Sequence, residues 1–142
     1  MKTLTDLLGL ALWLAGAGHF CLLIASVQVP ARLGWKKDLA QLTPFNRRLM
    51  WVYAGTTLLT IVAFGVLTLL LHGEFLARDP AAVALAGFIA VFWTLRIVVD
   101  FTWLPRDGWP RGTAFAVGHI LLVGLFIALA ATYWLVVWNA LA

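Results

Sequence analysis

Length, composition and charge place this chain in a membrane. Its 142 residues are 63% hydrophobic and 11% charged, with a mean hydropathy of +0.97. Soluble domains have roughly 45–50% apolar and about 25% charged residues, so an ordinary soluble fold is excluded. The net charge of +4 comes from basic residues that cluster between apolar runs, which membrane topology explains without a nucleic-acid partner.

Four apolar runs predict an all-α integral membrane protein, because each run exceeds the roughly 20 residues that cross a bilayer. The predicted spans are residues 4–29, 45–71, 80–104 and 110–139. We expect them to form an up-down-up-down bundle that is a single domain over residues 1–142. Asp6 and the length of the first run favour an uncleaved span over a signal peptide. The runs lack the period-two alternation of barrel strands.

Two of the predicted spans begin with a helix-capping pattern. Thr43 precedes Pro44, and Asp79 precedes Pro80. In both cases a side chain that can accept a hydrogen bond stands before a proline at the first helical position, which is typical of a helix start.

The first loop, residues 30–44, contains the sequence GWKKDLAQL. On a helix, one side carries Trp35, Leu39 and Leu42, whereas the other carries Lys36, Lys37 and Asp38. This pattern is typical of a short interfacial helix under the lipid headgroups. A solvated loop with basic residues is an equally good interpretation.

The distribution of lysine and arginine predicts the orientation. The first loop and its flanks carry five basic residues, Arg32, Lys36, Lys37, Arg47 and Arg48. The third loop carries Arg106 and Arg111, whereas the opposite side carries only Lys2 and Arg78. The positive-inside rule therefore places loops one and three in the cytoplasm and both termini on the non-cytoplasmic side of a bacterial-type inner membrane.

The ionisable residues inside the predicted spans are His19, Arg96, Asp100 and His119. Each is costly in lipid and is expected to face the bundle interior. His19 lies about ten residues from the cytoplasmic end of its span and His119 about nine, so both are expected roughly 14 Å inside that boundary. Because the first and fourth spans are neighbours in an up-down bundle, the two imidazoles are predicted to face each other.

We interpret His19 and His119 as the axial ligands of one haem b. Gly16 and Gly112 lie near the same helix stripes and would give a porphyrin room. The predicted partners of the haem propionates are Arg32, Arg96, Arg106 and Arg111. The single cysteine, Cys21, excludes an intrachain disulfide and a thiolate metal cluster.

These residues also have structural interpretations. A lone histidine in a span can join helices through a hydrogen bond to a carbonyl or hydroxyl group. Arg96 and Asp100 are four residues apart and can form an ion pair on one helix face, which we favour over a ligand role for them. His72 ends the second span, and we expect it to have no ligand role. The threonines of the second span are expected to bond to carbonyl groups of their own helix.

The layout resembles that of small four-helix membrane b-type cytochromes, including the haem-bearing membrane subunits of respiratory enzymes. The likeness rests on four spans and on the dipeptides Gly18-His19 and Gly118-His119. Those families often carry two haems on four histidines, whereas this chain has three histidines. The resemblance therefore implies a single haem.

The expected function is electron transfer, as a membrane cytochrome or as the haem-bearing subunit of a redox complex. A protein partner would then supply any catalysis, and the bilayer and a quinone are the other expected partners. Two alternatives stay open. One is a non-redox accessory subunit of a larger membrane complex, and the other is a small quinone- or lipid-binding protein that uses His19, His119 and Arg96 without a metal.

Overall fold

A computed structural model describes residues 2–104 and 112–142, which form helices and short connections without a β-strand. Four of the helices are long and apolar enough to span a membrane, which confirms the predicted all-α membrane class. They are α1 (Lys2–Ser26), α4 (Pro44–Leu70), α6 (Pro80–Thr102) and α7 (Thr113–Leu141). The shortest, α6, has 23 residues and is about 35 Å long, enough to cross roughly 30 Å of hydrocarbon. The predicted start of the fourth span, residue 110, lies outside the described residues.

Short helices occupy two of the connections. They are α2 (Val29–Arg32), α3 (Trp35–Asp38), a 3₁₀ helix (Leu39–Gln41) and α5 (His72–Leu76). In the first loop, Trp35 and Leu39 are half-buried, whereas Lys36 and Lys37 are exposed. Leu42, which the pattern puts on the apolar side, is exposed, and the interfacial helix stays a prediction.

The predicted capping side chains stand at the starts of α4 and α6. Thr43 Oγ1 accepts a hydrogen bond from Asn46 N at 3.4 Å. Asp79 Oδ1 accepts from Ala81 N and Ala82 N at 3.0 and 3.1 Å. These bonds satisfy amide groups that have no partner inside the helix, and they fix where each span begins.

Helix packing is uneven along the bundle. The closest contacts join α6 to α7 and α1 to α4, and α1 also contacts α7. No residue is buried in α4 before Ile61 or in α7 before Val123. In α6, the one buried residue after Trp93 is Asp100, a charged residue. Each long helix therefore has a packed part and an unpacked part, and Asp100 is buried in the unpacked part of α6.

Close approach of α1 to α4 depends on glycine. A Cβ atom built on Gly16 would lie 2.8 Å from Leu69 Cγ, and one built on Gly65 would lie 3.0 Å from His19 Cβ. Small residues at such crossings let helix backbones come together, which is the main way that helices associate in lipid. This contact places the backbone of α1 so that His19 points into the core.

Candidate functional site

His19 is fully buried and uses both of its ring nitrogens in hydrogen bonds. Nδ1 lies 2.7 Å from the carbonyl oxygen of Ala15, and Nε2 lies 3.1 Å from Nε1 of Trp93. A carbonyl oxygen can only accept and an indole N–H can only donate. The imidazole therefore carries its proton on Nδ1, and the lone pair of Nε2 accepts from Trp93.

Aromatic rings from the three other long helices surround His19. Its ring centroid lies 6.0 Å from that of Phe64 on α4, 5.6 Å from that of Trp93 on α6 and 6.0 Å from that of Tyr133 on α7. Phe126 stacks on the far side of Trp93 at 5.2 Å. His19 is therefore the point at which all four long helices meet, and this position matches the structural interpretation of a transmembrane histidine.

A second buried polar contact lies beside His19. The Tyr133 hydroxyl donates to Thr68 Oγ1, which in turn donates to the carbonyl oxygen of Phe64 at 2.6 Å. The other threonines expected to bond to their own helix do so, with Thr56, Thr57 and Thr60 all donating to carbonyl oxygens of α4. The threonine hydroxyl groups of α4 are thus used within the protein.

His119 has different neighbours from His19. Its Nε2 lies 3.3 Å from Asp100 Oδ2, and the two side chains are 22% and 6% exposed, respectively. His119 lies on α7 fourteen residues before Tyr133, which is about 21 Å along the helix axis. Tyr133 is the α7 residue whose ring meets His19. The two histidines therefore do not lie at a common level, contrary to the depth match read from the sequence.

The residues present do not fit a haem held between these two histidines. An iron ligand must offer a lone pair. Nδ1 of His19 donates to a backbone carbonyl, as in many metal-bound histidines, but the lone pair of Nε2 accepts from Trp93. Ligation would break a buried hydrogen bond and leave the Trp93 N–H without its acceptor, which costs about 1–3 kcal/mol. Haem binding itself stays a prediction, without this pair of axial ligands to support it.

Arg96 does not form the ion pair expected with Asp100. Within the described residues, Asp100 pairs with His119, and the Arg96 guanidinium lies over the ring of Phe126, 5.5 Å from its centroid. Phe126 also stacks on Trp93, three residues before Arg96 on α6. The guanidinium therefore reaches towards the middle of α6 and away from the nearer helix end at Thr102.

The other residues predicted to surround a haem have separate surroundings. Gly16 gives room to Leu69 of α4. Gly112 precedes α7 with a φ of 139°, a conformation that favours glycine, and no atom lies within 4 Å of a Cβ built there. Arg32 bonds to Gln28, and Arg106 and Arg111 lie outside the described residues.

His72, for which no ligand role is predicted, joins α5 to α1. Its Nε2 lies 3.0 Å from the carbonyl oxygen of Gly9, to which it donates, and its ring stacks on Trp13 at 4.7 Å. No group of three or more potential metal-ligating side chains occurs in residues 2–104 and 112–142.

Comparison of the chain with family models, with curated proteins and with solved structures finds no match. The site must therefore be judged from its own geometry. Asp100 and His119 pair where α6 and α7 face each other, and the guanidinium of Arg96, one turn before Asp100 on α6, lies over Phe126 of α7. We refer to these three residues as the α6–α7 polar site.

Proposed function

We propose that the protein is a small multi-pass membrane protein that binds the polar head of a lipid-soluble, quinone-type ligand at the α6–α7 polar site. The single observation that carries this proposal is the position of Arg96, a charged side chain inside a span, whose guanidinium lies against an aromatic ring instead of a carboxylate. An ionisable side chain inside a membrane span is by default a candidate functional residue.

The proposed arrangement in the membrane is an up-down-up-down bundle with both termini on the non-cytoplasmic side. Contact pairs support the antiparallel packing, because Gly9 meets His72 just after α4, whereas His19 meets Gly65 further inside, and the charge distribution supports the sides of the termini. In the same way, Gly87 of α6 lies near Val137 of α7, and Asp100 pairs with His119. On this arrangement the α6–α7 polar site belongs to the cytoplasmic half.

The chemistry of the site favours a neutral head group that carries one oxygen atom for Arg96 and another for Asp100. The guanidinium of Arg96 offers five N–H donors, and the carboxylate of Asp100 offers acceptors, of which the buried Oδ2 lies 3.3 Å from Nε2 of His119. The charges of Arg96 and Asp100 offset each other. The site therefore attracts an anionic head less strongly than a site with Arg96 alone would, and a polar neutral head fits it better. A quinone offers a carbonyl oxygen to Arg96, and its reduced form offers a hydroxyl group to Asp100.

Access to the site runs from the lipid. The parts of α4 and α7 before Ile61 and Val123 bury no residue, so the helices do not close over this half of the bundle. His119 is part-exposed beside the buried Asp100. A ligand dissolved in the bilayer can thus reach the polar site without crossing the packed core around His19.

Binding of a short-chain benzoquinone to the purified protein in nanodiscs tests the proposal. Trp93 stacks on Phe126 beneath Arg96 and is one of eight tryptophans, so the saturable part of the fluorescence quenching that depends on Arg96 reports a quinone at the site. Arg96→Gln is expected to raise Kd by roughly tenfold to a hundredfold, because a hydrogen bond to a charged group contributes about 1.5–3 kcal/mol.

Arg78→Gln is the matched control, since Arg78 is exposed and bonds to Asn139 at another part of α7. It should leave Kd unchanged. Equal affinity of the wild type and the Arg96→Gln variant, or quenching that does not saturate, would exclude quinone binding at this site.

Membership of a larger membrane complex as an accessory subunit is a second candidate. It is favoured by Gly124 and Ala128, which are four residues apart and exposed on α7, with nothing within 4 Å of a Cβ built on Gly124. Such small-residue pairs commonly pack against another membrane helix. Gly124→Ile should shift the protein to a smaller species in native gels of mild detergent extracts, whereas Gly55→Ile on α4 should not.

A further inference from the structure

The loop-one end of the protein carries a concentration of positive charge that the polar site does not use. It comprises Arg32, Lys36, Lys37, Arg47 and Arg48, and we refer to these five residues as the basic clamp. Four of them are exposed and Arg47 is half-buried. Asp38 is the only acidic residue between positions 27 and 51, and none of the five forms an ion pair with a carboxylate within the described residues. Between positions 27 and 51, their mutual repulsion is therefore offset only by Asp38.

Arg32 is held in place by a relay of hydrogen bonds. Gln28 Nε2 donates to the carbonyl oxygen of Ile24 at 3.0 Å, and Arg32 donates from Nε and Nη2 to Gln28 Oε1 at 3.3 and 3.1 Å. These bonds use two of the five guanidinium N–H donors and fix the direction of the group. A cation that is fixed before its partner arrives loses less side-chain entropy on binding.

Two tryptophans bring the two halves of the clamp together. Trp35 of α3 packs edge-to-face on Trp51 of α4, with ring centroids 6.0 Å apart. Arg47 lies four residues before Trp51, so the two share one face of α4. Lys36 directly follows Trp35. The tryptophan contact thus holds α3 against the start of α4, so the segments that carry the lysines and the arginines are neighbours, with the lysines on the side of α3 away from Trp35.

We propose that the basic clamp binds the phosphate headgroup of an anionic phospholipid. The clamp lies between two membrane-spanning helices, so its cations stand at headgroup level, and tryptophan pairs at this depth are typical of the membrane interface. Positive residues there are attracted to anionic lipids, and guanidinium groups match the geometry of phosphate oxygens. The occupant is a lipid and not a soluble phosphate, because the glycerol and acyl chains of a lipid also contact Trp35 and Trp51.

Native mass spectrometry of the full-length protein in detergent, titrated with phosphatidylglycerol or phosphatidylcholine, tests this proposal. We expect saturable binding of phosphatidylglycerol and none of phosphatidylcholine at the same concentration. The double variant Lys36→Gln/Lys37→Gln should weaken phosphatidylglycerol binding by about thirtyfold, whereas Lys36→Arg/Lys37→Arg should retain it. Both positions changed are exposed, so the fold should survive, and an unchanged Tm checks this.

Two further variants separate the clamp from a general effect of charge. Asp38→Asn removes the only acid of the segment and should tighten phosphatidylglycerol binding, whereas Arg78→Gln, a cation outside the clamp, should not change it. Inorganic phosphate at millimolar concentration should not compete with the lipid. Equal binding of both lipids, equal losses with Arg78→Gln, or full competition by inorganic phosphate would each overturn the proposal. Quinone binding at the α6–α7 polar site is measured separately, so either result stands without the other.

Discussion

The indole N–H of Trp93 donates a hydrogen bond to Nε2 of His19 over 3.1 Å, between residues 74 positions apart in the chain. Each side chain satisfies the hydrogen-bonding group of the other, because a buried N–H and a buried lone pair are both costly in lipid when they are unpaired. Since Nδ1 of His19 is bonded to Ala15, the imidazole is fully used. This pair fixes the core, and it leaves the His19 ring without a free nitrogen for a ligand.

Loss of this hydrogen bond should destabilise the bundle. Trp93→Phe leaves Nε2 of His19 buried without a donor, which is expected to cost about 1–3 kcal/mol of unfolding free energy. Reversible unfolding in mixed micelles measures the change. Trp134→Phe is the matched control, because Trp134 makes the same kind of bond, to Thr94 at 3.1 Å, on an exposed face. An equal loss of unfolding free energy in both variants would mean that the buried His19–Trp93 bond stabilises the protein no more than the exposed bond does.

Two glycines of α4 should respond to alanine in opposite ways. Gly65→Ala places a Cβ 3.0 Å from His19 Cβ and 3.2 Å from the Phe20 ring, and such overpacking is expected to cost about 1–3 kcal/mol. Gly55→Ala meets no atom within 4 Å and should be neutral or stabilising by up to about 1 kcal/mol, since alanine favours a helix. The same unfolding assay compares them, and a stable Gly65→Ala variant would refute the close contact of α1 with α4.

Asp100 and His119 should be energetically coupled. A double-mutant cycle with Asp100→Asn and His119→Gln is expected to give an interaction energy of about 0.5–3 kcal/mol, as for residues in direct contact. The cycle of Asp100→Asn with His72→Gln is the control, because His72 bonds to Gly9 instead. Additive effects of Asp100→Asn and His119→Gln would show that the 3.3 Å contact carries no interaction.

The absorption spectrum tests the haem prediction directly. We expect no Soret band that depends on His19, because both of its nitrogens are already bonded within the protein. Protein purified from haem-sufficient cells is compared with the His19→Ala and His72→Ala variants. A Soret band that disappears with His19→Ala and persists with His72→Ala would restore His19 as an iron ligand.

The sequence predicts the fold well because hydrophobic length and capping residues are local signals. The starts of α4 and α6 follow from Thr43 and Asp79, whose bonds involve only the next few residues. The hydrogen-bond partner of His19 is not a local signal, because it lies 74 positions away in the chain. Trp93 is recognisable as a buried indole that needs an acceptor, but which acceptor it meets depends on helix rotation and on the glycine contact between α1 and α4.

The predicted depth match failed for the same reason. Counting residues from the ends of the spans set His19 and His119 at one level, whereas the structure packs the ring of His19 against Tyr133, fourteen residues beyond His119. Span boundaries read from hydropathy do not fix how far neighbouring helices are shifted along each other. The back-bonding of threonines, which is local, was predicted and is confirmed.

Histidine-selective nitrogen NMR of the protein in micelles is the most direct test that His19 is a structural residue. We expect one histidine with a protonated Nδ1 and an unprotonated, hydrogen-bonded Nε2, whose Nε2 signal moves in the Trp93→Phe variant and stays in place in the Trp134→Phe variant. A His19 spectrum with Nε2 protonated, or one insensitive to Trp93→Phe, would contradict the central pair and reopen His19 as a ligand.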